Sequence, residues 1–259
     1  MNITTADNST LRRLRYYNLL MGSFHLAQGV VILLLTNDFA IPVTALFLDG
    51  PPGSAPPEIT QLFSLRIGWA VAAFVFLSAA AHYWVASPAA FSWYVANLRQ
   101  NRNYARWIEY SVSASLMMVI IAMLPGITDV AAILGIFFAN TAMILFGLLM
   151  ERYEEPGHPS WLSFNLGALF GIVPWVAVGI YLWSPATESS PPTFVYGIFF
   201  SIFVFFSSFA VNMVLQYRRI GPWRNYLFGE SMYILLSLTS KSALAWQVFA
   251  GTLVPDQGP

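Results

Sequence analysis

The sequence predicts an all-α membrane protein: one transmembrane domain over residues 1–259, built as a seven-helix bundle with a short β-hairpin in its first loop. Three observations predict it. Of 259 residues, 57% are hydrophobic and only 9% are charged, against about 25% charged in a soluble domain. Mean hydropathy is +0.62. Seven apolar runs each reach the roughly 20 residues that a bilayer-spanning helix needs.

The first run, 14–37, follows Arg12, Arg13 and Arg15. That start resembles a secretion signal. The run lacks a small-residue cleavage site and holds His25 and Gln28, so it is expected to remain as a span. Residues 38–60 carry Asp38, Asp49, Glu58 and the segment Gly50-Pro51-Pro52-Gly53-Ser54-Ala55-Pro56-Pro57. They are too polar and too broken to span, and they are expected to form a strand pair lying over the bundle. The remaining runs are 61–88, 96–124, 128–150, 160–183, 193–217 and 224–252, joined by short connections.

Charge placement predicts the direction of each span. Arg12, Arg13, Arg15, Arg99, Arg102, Arg106, Arg152, Arg218, Arg219 and Arg224 all fall at one end of the bundle. Asp38, Asp49, Glu58, Asp129, Glu188 and Asp256 fall at the other, with only Arg66 nearby. The positive end faces the cytoplasm. The N-terminus is therefore expected inside and the C-terminus outside, in the cell membrane and against lipid. Net charge is zero, which gives no case for nucleic-acid binding, and the absence of cysteine leaves redox compartment undetermined.

The chain has a single lysine, Lys241, inside the run Tyr233-Ile-Leu-Leu-Ser-Leu-Thr-Ser-Lys241-Ser-Ala-Leu-Ala-Trp246. A charge there is costly, so an amine held there points to chemistry, with Schiff-base formation the best precedent. The competing reading makes Lys241 a structural residue of a pigmentless scaffold or membrane enzyme. Ser237 lies at i−4, on the same face. Glu230 lies about three turns nearer the arginine-rich end.

A buried cation needs an anion, and Glu109 in the third span is the best candidate. The alternative pairs Glu109 with Arg106 on a surface; the serine-lined face Ser111, Ser113 and Ser115 argues against it. For Glu109 to reach Lys241, the third helix is expected to start near Ala96 or Asn97. Ser78 and His82 stand at i,i+4 in the second span, and His25 and Gln28 in the first. Together they suggest a hydrated pocket able to take up a proton. No third ligand or HxxxH spacing supports a metal site there. The aromatics of the fifth and sixth spans, among them Trp175, Phe199, Phe203 and Phe206, serve packing, lipid contact or a slot for a conjugated ligand.

Seven helices with a lysine in the last and a carboxylate in the third resemble a retinal-binding rhodopsin. The resemblance narrows to the heliorhodopsins and covers nearly the whole chain. It rests on Phe24-His25-Leu26, Asn37-Asp38-Phe39-Ala40, Gly50-Pro51-Pro52-Gly53, Arg106-Trp107-Ile108-Glu109-Tyr110-Ser111 and Met143-Ile144-Leu145-Phe146-Gly147. It continues through Gly171-Ile172-Val173-Pro174-Trp175, Phe194-Val195-Tyr196-Gly197 and Lys241-Ser242-Ala243-Leu244-Ala245-Trp246-Gln247. An inverted orientation is that family's trait.

The resemblance implies all-trans retinal on Lys241 as a protonated Schiff base, with Glu109 as sole counterion. It implies a polar cavity formed by His25, His82 and Ser78. It places Trp107, Tyr110, Asn140, Met143, Ile144, Gly147 and Phe206 around the chromophore. Ser237 stands where many microbial rhodopsins carry an aspartate, which removes a second counterion. A homodimer through the fourth and fifth spans, with help from residues 38–60, is also implied.

A proton pump would need a donor carboxylate about three turns beyond Glu109. That position is Ile120, and the intracellular half is expected to be apolar and dry. The sequence therefore favours a light sensor with a slow photocycle and an internal proton shift over an enzyme. A cytoplasmic signalling partner is expected, of unknown identity. A light-driven or light-gated ion transporter stays open as the alternative.

Overall fold

The computed structural model describes residues 8–54, 58–183 and 190–253. Glu188, Asp256 and Ala55–Pro57, which entered the expectations above, lie outside them. The first helix, α1, spans Asn8–Leu35. It begins one to two turns before the apolar run, because no glycine or proline interrupts residues 9–14.

The next two elements are strands, β1 (Ala40–Phe47) and β2 (Glu58–Arg66), paired antiparallel with an irregularity at Val43/Thr44. The expected hairpin is present. It extends further than expected, so the second span starts at Ile67 and not at 61. Leu62, Phe63 and Leu65 read as the start of an apolar helix, but they belong to β2. The hairpin is fixed to the bundle where Thr44 N–H donates to Thr128 O at 2.9 Å. Val43 packs there on Val119 and Met123.

Six further helices follow. They are α2 (Ile67–Ala86), the short α3 (Phe91–Leu98), α4 (Tyr104–Met123), α5 (Val130–Tyr153), α6 (Leu162–Leu182) and α7 (Thr193–Tyr217). The last long helix is α8 (Tyr226–Val248). Six of the long helices are apolar enough to cross a membrane. The seventh, α8, is 23 residues long, or roughly 35 Å. Its average hydropathy is lowered by Glu230, Ser237, Ser240 and Lys241, all of which it buries.

The third span differs most from expectation. It does not start at Ala96 or Asn97. Residues 91–98 form α3, the chain breaks at 99–103, and Asn101 takes φ 56°, a conformation asparagine tolerates better than most. Asn103 then caps α4, its side chain accepting from Arg106 N–H at 3.1 Å. The cap is only 5% exposed. The start of α4 is thus sunk beneath α3, and five residues of helix suffice to bring Glu109 to depth.

The two halves of the bundle have different cores. Toward the hairpin, Ile67, Val71, Phe74, Met118, Ile120 and Leu244 form a continuous apolar core. Toward the arginine-rich end, the buried residues include Asn18, Asn103, Arg106, Glu151 and Glu230. The expectation of an apolar intracellular half is corrected by this. Ile120 lies on the hairpin side, because α4 runs away from the arginines, and the arginine side holds buried charge.

Candidate functional site

Lys241 is 2% exposed on the inner face of α8. Its Nζ donates to Glu109 Oε1 at 3.0 Å and Oε2 at 3.3 Å, and to Ser237 Oγ at 3.1 Å. The i,i+4 spacing on α8 accounts for the serine, and the sunken start of α4 accounts for the carboxylate. Ser78 Oγ on α2 donates to the same Glu109 oxygen at 2.6 Å. The amine also lies 4.9 Å from the centre of the Tyr110 ring, a favourable place for a cation. Glu109 does not pair with Arg106.

One side of this pair faces an apolar slot of about 850 Å³, counted with its open mouth. Lys241 closes one wall. Trp107, Tyr110, Met143, Ile144, Gly147 and Phe206 line it, and these were grouped together by the family resemblance. Tyr233, Phe209, Met213 and Ser240 line it as well; of these only Met213 was singled out from the sequence, as a position able to alter colour, and the other three were missed. Tyr233 could have been found from its spacing, eight residues before Lys241 and so on the same helical face.

Asn140 does not line the slot. Its Nδ2 donates to Ser115 Oγ at 3.1 Å, and Thr141 Oγ1 meets the same hydroxyl at 3.0 Å. Ser115 therefore serves the α4–α5 contact, as small polar residues do between membrane helices. Gly147 is required where it is: a Cβ there would come within 2.5 Å of the Trp107 ring.

The other side of the pair faces a polar cavity of about 360 Å³, counted with its open mouth and lined by Ser78, His82, Asn18, Tyr94, Asn103, Arg106, Glu109 and Glu230 among others. His82 Nδ1 is 2.8 Å from Asn18 Oδ1. His25 stacks on His82 with ring centroids 5.6 Å apart. It is completely buried, and neither ring nitrogen has a partner among the described residues. Asn18 lies seven residues before His25, two turns along the same face, a spacing the sequence reading overlooked.

A second charge group lies beyond this cavity. Arg106 donates to Glu151 Oε1 at 2.6 Å and pairs with Glu230. Glu151 also accepts from Trp107 Nε1 at 2.5 Å, Tyr226 OH at 2.7 Å and the Asn103 backbone N–H at 2.8 Å. Glu230 accepts from Asn103 Nδ2 at 2.5 Å and from Tyr94 OH at 3.4 Å. The Arg106 guanidinium lies 3.9 Å from the centre of the Tyr233 ring and 4.7 Å from that of Trp107. Glu151 went unnoticed because it stands one residue past the expected end of the fourth span.

The slot suits a long conjugated aldehyde. Its walls are aromatic and aliphatic, and an amine with an adjacent carboxylate stands in one wall. Trp107 and Tyr233 form part of the slot on one face and touch Arg106 on the other. Displacement of either ring therefore reaches the second charge group directly.

The family model for heliorhodopsins matches residues 14–253. Comparison with curated proteins gives no match.

Proposed function

The chain belongs to the heliorhodopsin family, and from that premise we propose that Lys241 and Glu109 form the chromophore centre of a light-triggered switch. Membership makes the protein a multi-pass membrane rhodopsin that binds retinal and senses light. The finer reading is all-trans retinal on Lys241 as a protonated Schiff base, with Glu109 as its counterion. The 3.0 Å contact between Nζ and Glu109, at the wall of an apolar slot, carries this reading.

When bound, retinal supplies visible absorption and a light-driven change of shape. The side chains supply everything else. Glu109 holds the positive charge at Nζ, while Ser78 donates to Glu109 and Ser237 accepts from Nζ. Met143, Ile144 and Phe206 keep water out of the slot. The proton leaving Nζ has the polar cavity with His82 and Asn18 as its nearest reservoir. Loss of the Lys241–Glu109 attraction biases the bundle toward a second packing. Trp107 carries that change to Glu151, near the arginine-rich end. We place that end in the cytoplasm, facing a signalling partner, and take the working unit to be a homodimer.

Transport is the second reading, and a specific observation favours it. The cavity beside Glu109 reaches Glu230, so buried carboxylates lie on the arginine-rich side even though Ile120 closes the other. Against it, Arg106 stands among these carboxylates and holds two of them. All-trans retinal added to the apoprotein tests the pigment: a visible band is expected, and Lys241→Ala is expected to abolish it. A band that survives Lys241→Ala would reject the site. Illumination of cells tests transport, with no protonophore-sensitive pH change expected.

A further inference from the structure

A groove between α1 and α3 at the arginine-rich end is not explained by the pigment. It measures about 720 Å³ and is open to solvent. Leu11, Phe91 and Val95 form its floor, and Arg12, Arg15 and Arg99 stand around it. No carboxylate lines it among the described residues. Like charges drawn together without a counter-charge repel, so this arrangement favours an anion.

The arginines are differently prepared for one. Arg15 is held by its stem: Nε donates to Ala86 O at 2.7 Å, and the guanidinium lies 5.0 Å from the centre of the Phe91 ring. This fixes the fork and leaves its terminal nitrogens to other acceptors. Arg12 and Arg99 make no ion pair and no side-chain hydrogen bond among the described residues. The neighbouring cleft at the same end differs. There Glu151, Glu154 and Glu155 stand with Arg102 and Arg152, and Arg102 is spent on Arg152 O and Gln100.

The level of the groove fits a membrane surface. Trp84 at the end of α2 and Trp93 on α3 lie with ring centroids 5.1 Å apart and are 51% and 39% exposed. Paired exposed tryptophans at the ends of spanning helices mark the headgroup layer. Planar guanidinium forks match the paired oxygens of phosphate, the anion that lipid headgroups place at that depth.

We infer that this groove binds a phosphate group, carried by an anionic lipid headgroup or free in solution. Native mass spectrometry of the detergent-purified pigment tests it, with phosphatidylglycerol and phosphatidylcholine added at equal concentration. One phosphatidylglycerol is expected to be retained in preference to phosphatidylcholine. The Arg12→Gln/Arg15→Gln/Arg99→Gln variant is expected to bind it about 100-fold more weakly, while its visible band reports an intact fold. Arg218→Gln/Arg219→Gln serves as control and is expected to leave retention unchanged.

Competition by inorganic phosphate would assign the groove to the free anion. Retention without competition would assign it to the lipid. Equal retention of both lipids, or equal loss in the control, would overturn the site.

Discussion

Arg106 and Glu109 lie one turn apart on α4 and do not pair with each other. Arg106 turns to Glu151 and Glu230, and Glu109 turns to Lys241. One turn of helix thus divides two buried charge groups. The Lys241 group is formally balanced. The Arg106 group carries one carboxylate more than its guanidinium can neutralise, and hydrogen bonds from Asn103, Trp107, Tyr94 and Tyr226 meet the surplus. Trp107 belongs to both neighbourhoods, since it lines the slot and donates to Glu151.

The first group predicts the colour response. Glu109 holds positive charge at Nζ and so stabilises the dark state more than the excited one. Glu109→Gln removes that charge while keeping the shape. The absorption band is expected to move to longer wavelength. Absorbance spectra of the two purified pigments at matched pH check it, and an unshifted band would reject Glu109 as counterion.

The second group predicts stability. Arg106→Ala leaves Glu151 and Glu230 buried without their cation, a loss of about 3–5 kcal/mol. The thermal midpoint for bleaching is expected to fall well below that of the parent protein. Glu151→Gln keeps most of the hydrogen bonds and is expected to cost less. If the alanine variant bleached at the parent temperature, the group would hold little of the fold.

Much of the fold was legible in the sequence because span length and arginine placement are strong signals in a membrane protein. Lys241, Glu109 and Ser237 stood out since charge and hydroxyl are rare inside apolar runs. What was hidden follows from weaker signals. The start of α2 was obscured by β2, whose Leu62, Phe63 and Leu65 are as apolar as a helix. The break at 99–103 carries no proline or glycine, so α3 merged with α4. Glu151 sits at a helix end, where carboxylates are ordinarily solvated, and only the tertiary position of Arg106 makes it a core residue. Asn140 was assigned to the chromophore from resemblance, yet the rotation of α5 turns it to Ser115.

Membrane orientation is a separate prediction. The arginines of α1, the 2–4 connection, the 5–6 connection and the 7–8 connection share one end: residues 100–102, 151–156 and 216–217 line one cleft, and Arg12, Arg15 and Arg99 line one groove. That end is expected in the cytoplasm. An epitope tag before residue 1 is expected to be reached by antibody only after permeabilisation, and a tag after residue 259 without it. The opposite pattern would reverse every statement about which face signals.

The contact between α4 and α5 gives the sharpest test of the slot. Gly147 faces the Trp107 ring so closely that an alanine Cβ would lie 2.5 Å from one ring carbon and 2.6 Å from the next. The ring cannot yield freely, because its Nε1 is tied to Glu151. Gly147→Ala must therefore push the indole into the slot or break that bond, at a cost of about 1–3 kcal/mol. Retinal uptake, followed as growth of the visible band, is expected to slow and the final yield to drop. Trp107→Leu in the same chain removes the obstructing ring and is expected to restore most of the rate lost to Gly147→Ala. Such non-additivity is what contact between the two side chains requires. Strictly additive effects of the two substitutions would show that they act on retinal uptake independently.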